Sequence, residues 1–72
     1  MGKRLIRIAQ VEQITSFKKS TIYDRLTPDS SRYDPTFPRP MKINGSSTNV
    51  WVEEEVYAWV DRQIEAARGD AA

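Results

Sequence analysis

The chain has no cysteine and no histidine among its 72 residues. Those two absences exclude disulfides, thiolate nucleophiles, zinc sites of the Cys/His kind and imidazole acid–base chemistry. No apolar run approaches the roughly 20 residues of a membrane span, and nothing has the layout of a signal peptide. A soluble cytoplasmic protein, not one of the membrane, is therefore expected. Carboxylates are present, but no third ligand or pocket-forming region accompanies any pair of them, so no metal, cofactor or enzymatic activity is expected. A chain this short buries only about 60% of its unfolded surface, so its core must be small and each large apolar residue matters.

What is present is unevenly distributed charge. The formal net charge is only +1, but residues 1–49 hold nine Lys or Arg against four Asp or Glu, and residues 50–72 hold two against six. A basic front and an acidic back point to a polyanionic partner on one side. The plainer alternative is a solvated surface of uneven charge.

The pattern of elements is mostly helical. In "RLIRIAQVEQIT", Arg4 to Ile6 read as extended and Ile8, Val11 and Ile14 then recur at three-residue spacing. A second helix over about 19–26 turns Ile22 and Leu26 inward and Ser20, Thr21 and Asp24 outward. Two short helices joined by three or four residues read as a helix-turn-helix, or on periodicity alone as another helical hairpin. All four prolines fall between residues 28 and 40, which makes that stretch a rigid connector docked by Tyr33 and Phe37. "MKINGSSTNVWV" reads as a hairpin with an Asn44-Gly45 turn, a wing, whose strands are Met41 to Ile43 and Asn49 to Val52. The closing helix, about 53–68, carries an inward stripe of Val56, Trp59, Val60, Gln63/Ile64 and Ala67. Its first turn holds Glu53, Glu54 and Glu55, as the helix dipole favours, whereas the helix after Lys18 and Lys19 begins with the wrong charge.

The run Thr21-Ile22-Tyr23-Asp24, Leu26, Pro28, Ser30, Arg32-Tyr33-Asp34 and Thr36-Phe37-Pro38 resembles the AlpA-type prophage regulatory proteins, which are excisionase-like and MerR-like winged helix-turn-helix proteins. The likeness covers about residues 4–65. It departs at Ser16, where many relatives have Gly, and at Val50, where many have Arg. It implies one DNA-binding domain over 1–72, ordered over about 4–68, with helix-turn-helix 8–27, connector 28–40, wing 41–52 and C-terminal helix 53–68. Three helices plus a two-stranded wing make up the fold. The expected core is Trp51, Trp59, Ile8, Val11, Ile14, Ile22, Leu26, Val56 and Val60.

Sequence-specific binding of double-stranded DNA in a prophage or integrated element follows as the implied function, through transcriptional regulation, excision (recombination directionality), or both. The implied partners are DNA, an integrase, and further copies of the chain on DNA, the last because one small domain binds a single site weakly. The protein would then sit on the nucleoid when bound. The candidate DNA-binding residues are Lys18, Lys19, Ser20, Thr21, Tyr23 and Arg25 in the second helix, with Arg39, Lys42, Asn44 and Ser46 around the wing. Tyr23 either meets sugar and phosphate or packs beside Ile22, and Asp24 either accepts from a cytosine or orients Arg25 or a lysine. Arg4 and Arg7 either extend the basic face or lie free in solvent. The rival expectation is an adaptor or antitoxin-like module that uses the acidic closing helix, with Glu54 and Tyr57 as its contacts.

Overall fold

The periodicity of residues 8–26 resolves into two helices of equal length. In the computed structural model, which describes residues 3–69, the chain runs β1 (Leu5–Ile6), α1 (Ile8–Thr15), α2 (Lys19–Leu26), β2 (Trp51–Val52) and α3 (Glu53–Gly69). This is the mostly helical winged helix-turn-helix architecture expected from the sequence. Among the described residues, no helix is long and apolar enough to cross a membrane.

The turn between α1 and α2 is fixed by local hydrogen bonds. Ser16 takes the left-handed conformation (φ 65°, ψ 15°), and its amide donates to Glu12 O at 2.8 Å. The Thr15 hydroxyl donates to Val11 O at 2.8 Å and accepts from the Phe17 amide at 3.2 Å. Left-handed backbone is the natural place for glycine, so Ser16 holds it at some strain. At the other end of α1, the Arg7 amide donates to Gln10 Oε1 at 3.2 Å and so finds a partner before the helix begins.

The core joins all three helices to the connector. Ile6, Val11, Ile22, Phe37, Trp51, Val56 and Trp59 form its buried cluster, and Ile8, Ile14, Phe17, Leu26 and Val60 pack against it. Every expected core residue is among these twelve. Trp59 stands edge-on to Phe17 (ring centroids 5.8 Å apart) and to Phe37 (4.9 Å), and the buried Trp51 indole donates to Pro38 O at 3.2 Å. The connector is thus seated by an aromatic ring and a hydrogen bond, as its Phe37 suggested.

The small sheet is built differently from the expected hairpin. β2 pairs antiparallel with β1, Ile6 opposite Trp51 and Leu5 opposite Val52, while Met41 meets Val50 in a single bridge. The extended Arg4–Ile6 segment therefore supplies the second strand, and the wing arms touch at one point. Register explains why. The Asn44-Gly45 turn has positive φ at both residues and closes Ser46 N–H onto Ile43 O at 2.9 Å, which would align Met41 with Thr48. The bridge instead aligns Met41 with Val50, so the return arm is two residues too long for a continuous ladder. The Thr48 amide donates to Ser46 Oγ at 3.0 Å and curls that excess away. Successive residues of a strand point their backbone groups to opposite edges, so Val50 faces the wing while Trp51 faces β1.

α3 runs one residue beyond the expected Arg68. Its stripe is buried at Val56 and Trp59, but from Asp61 onward the helix is exposed.

Replacing Ser16 with Gly is expected to stabilise the protein by about 0.5 kcal/mol, the left-handed strain relieved less the extra chain entropy of glycine. Ser16→Val should destabilise by about 1–2 kcal/mol. Urea denaturation followed by circular dichroism measures both, and equal stability of the two variants would contradict a left-handed turn.

Candidate nucleic-acid interface

α2 starts without a cap. Lys18 occupies the capping position with extended backbone and makes no side-chain cap, and no acidic residue lies in the first turn. The first backbone bond is Ile22 N–H to Lys18 O at 3.0 Å, leaving the amides of Lys19, Ser20 and Thr21 without protein acceptors among the described residues. Lys18, Lys19 and Ser20 are exposed and Thr21 is half-buried. Neither lysine has a carboxylate within ion-pair distance among the described residues. Two cations and the positive end of the helix dipole therefore face solvent together, which disfavours the helix by about 0.3–1 kcal/mol per group.

The other candidate residues divide into two groups. Tyr23 is exposed next to the wing base, and the Asn49 side-chain amide donates to its hydroxyl at 3.3 Å. Lys42, Asn44 and Ser46 are exposed around the wing tip, and Arg39 is exposed with its guanidinium donating to the Tyr33 hydroxyl at 2.6 Å. Arg25 is placed differently. Its guanidinium lies 4.5 Å from the Phe17 ring centroid and 5.8 Å from that of Trp59, and it pairs with Asp34 at 3.9 Å. The structure does not bring Arg25 together with the exposed lysines. It is turned towards the connector and α3, with its Nε buried and, among the described residues, unpartnered.

Asp34 is the group that sequence reasoning passed over. One carboxylate oxygen accepts from the Thr36 amide at 2.9 Å and the Thr36 hydroxyl at 2.6 Å. The other accepts from the Trp59 indole at 3.3 Å and faces Arg25. Its backbone amide donates to Arg25 O at 2.9 Å, tying the connector to the end of α2. Partial burial pushes this carboxyl up, but the Thr36 hydroxyl and amide, the Trp59 indole and the Arg25 charge outweigh that and hold it below its ordinary value. The "DPT" run at Asp34 was the available clue, since an aspartate two residues before an amide commonly closes an Asx turn.

The acidic start of α3 is also partly engaged. Arg4 pairs with Glu53 at 3.5 Å and Lys3 with Glu54 at 3.6 Å, and the Glu53 amide donates to Arg4 O at 2.8 Å. Arg4 is thereby drawn towards α3. These pairs are exposed, so each contributes little.

Two short helices in helix-turn-helix order, followed by a wing and a third helix, place the chain in the winged helix-turn-helix class. Within that class the chain belongs to the AlpA family: the family described as "Prophage CP4-57 regulatory protein (AlpA)" matches residues 4–64. The chain is also similar to the "DNA-binding transcriptional activator AlpA" of Escherichia coli (strain K12), with 38% identity over 60 residues, covering 83% of this chain and 84% of the relative. No solved structure gives a significant match.

Two outcomes follow from the Asp34 brace. A carboxyl with a lowered folded-state pKa stabilises the protein above its unfolded value, near 3.9, and that contribution is lost as pH falls through the folded value. Asp34→Asn should therefore lower stability at neutral pH and flatten the loss of stability below about pH 4. Urea titrations across pH measure this, and an unchanged acid limb would contradict the brace. Arg25→Ala should cost about 1–2 kcal/mol of stability through the lost stacking and ion pair, whereas Lys19→Ala should raise stability by about 0.3–1 kcal/mol.

Proposed function

We propose that this protein binds double-stranded DNA and regulates transcription in a prophage or other integrated element, with the start of α2 entering the major groove. The observation that carries this reading is the exposed, uncapped start of α2, where Lys18 and Lys19 meet free backbone amides and, among the described residues, no carboxylate. Phosphate supplies what is missing there. Family membership and the similarity to the Escherichia coli DNA-binding transcriptional activator support the same reading.

Lys18 and Lys19 then contact phosphates, and the hydroxyls of Ser20 and Thr21 reach base edges or backbone. Tyr23, its hydroxyl held by Asn49, faces sugar and phosphate at the junction of helix and wing. Lys42, Asn44, Ser46 and the wing-tip amides meet the flanking backbone or minor groove, with Arg39 at the wing base. Arg25 holds the connector against α2 and α3 and stays out of the groove. The site of action is the bacterial cytoplasm, on the nucleoid.

A directionality role beside an integrase uses this same surface and differs only in where the sites lie. Footprinting on the host element separates the two, since protection beside a promoter supports the regulatory role and protection beside an attachment end supports excision. An adaptor role for the acidic helix draws less support, because Glu53 and Glu54 are already paired with Arg4 and Lys3.

Gel-shift titrations over a range of salt concentrations test the core of the proposal. Lys19→Ala should leave the fold intact, weaken binding, and reduce the slope of log K against log salt by about 0.9 if one phosphate contact is lost. Unchanged affinity and slope in Lys18→Ala and Lys19→Ala alike would contradict it.

A further inference from the structure

The apolar stripe of α3 outlasts the body that it packs on. Val56 and Trp59 are buried and Val60 is half-buried, yet Ile64 is 42% exposed and Ala67 is exposed too. Val60, Ile64 and Ala67 follow one another at four- and three-residue spacing, the spacing of a seam between helices. They line one side of an open groove of 340 Å³ whose other side is made by Ile14 and Phe17. Among the described residues, nothing covers this stripe beyond Val60.

The charges beside the stripe indicate the partner. At 100° per residue, Asp61 and Arg68 lie on the same flank of the seam, about two turns apart. A second copy laid antiparallel about a two-fold axis near Ile64 keeps that flank on the same side. It sets each Arg68 against the Asp61 of the other copy, giving two reciprocal ion pairs. A parallel two-fold pairing would instead carry this flank to opposite sides of the seam in the two copies and leave Asp61 and Arg68 without each other as partners. Glu65 lies further round the helix, towards solvent. The arrangement is self-complementary in the sense that a closed two-fold interface requires.

We propose that the C-terminal half of α3 is a self-association surface, on which Val60, Ile64 and Ala67 of two copies pack antiparallel between reciprocal Asp61–Arg68 ion pairs. Three modest apolar side chains per copy fall well short of the roughly 800 Å² per partner of a standard stable interface. The contact is therefore weak between free molecules and takes effect when two copies are held side by side, where the effective concentration reaches the millimolar range. That last step rests on the DNA-binding reading, but the surface itself does not.

The chain has no cysteine of its own, so Ile64→Cys introduces a single thiol. Under mild oxidation without DNA, this variant at high concentration should form a disulfide dimer at least tenfold faster than Glu55→Cys, placed on another face of α3. Adding Asp61→Arg should slow trapping, and the exchange Asp61→Arg with Arg68→Asp should restore it. Equal trapping at the two positions, or trapping indifferent to these charges, would overturn the proposal. A second measurement compares DNA carrying one site with DNA carrying two adjacent sites. Ile64→Glu should keep one-site affinity and lose at least tenfold in cooperativity on two, and undiminished cooperativity would overturn the proposal. Charge-dependent trapping by a protein that binds no DNA would support the surface while refuting the DNA-binding reading.

Discussion

The arrangement depends on one tryptophan. Trp59 meets Phe17 from the helix-turn-helix turn, Phe37 from the connector and, through its indole N–H, Asp34. Two segments distant from it in sequence, the turn and the connector, converge on one ring in a chain with no cross-link to hold them. Asp34 completes the junction because it also faces Arg25 and donates its amide to the end of α2. Aromatic edge contacts and a charge-assisted hydrogen bond add to what burial alone supplies. This junction orients α2 relative to α3 and carries the connector around to the wing.

Because stability is gathered at the far end of α2, its start is left free. The C-terminal end of that helix has Arg25, the Thr27 hydroxyl on Tyr23 O at 2.7 Å, and the Asp34 amide on Arg25 O. The N-terminal end has two lysines and open amides. A helix secured at one end and electrostatically unsatisfied at the other suits the anion proposed to bind there. The Asn49–Tyr23 hydrogen bond links the wing to the same helix, so the two surfaces proposed to meet DNA are held in one relation.

Much of the fold was legible because its determinants are local. Three-residue spacing marked α1, the Ile22/Leu26 pair marked α2, clustered prolines excluded helix from the connector, and Asn44-Gly45 announced its turn. The β1–β2 pairing was not legible, since two-residue strands separated by more than forty positions carry no local pattern that names their partner. The shortened wing ladder arose from a clash of registers that needed both the turn and the bridge to be known. Among the candidate residues, Lys18, Lys19, Arg39 and Lys42 are exposed, as their charge suggests. Arg25 was the exception because it lies on the flank of α2, and its direction is set by Phe17 and Asp34, which only the tertiary fold brings near.

The central claim is that the lysines ahead of Ser20 weaken the free protein and serve a bound polyanion. Paired denaturation and DNA-binding measurements on the Lys18→Asp, Lys19→Glu double variant test it most directly. A capping aspartate and a first-turn glutamate should raise stability by about 1–2 kcal/mol while abolishing DNA binding. A variant no more stable than the parent, or one that still binds DNA, would contradict the account.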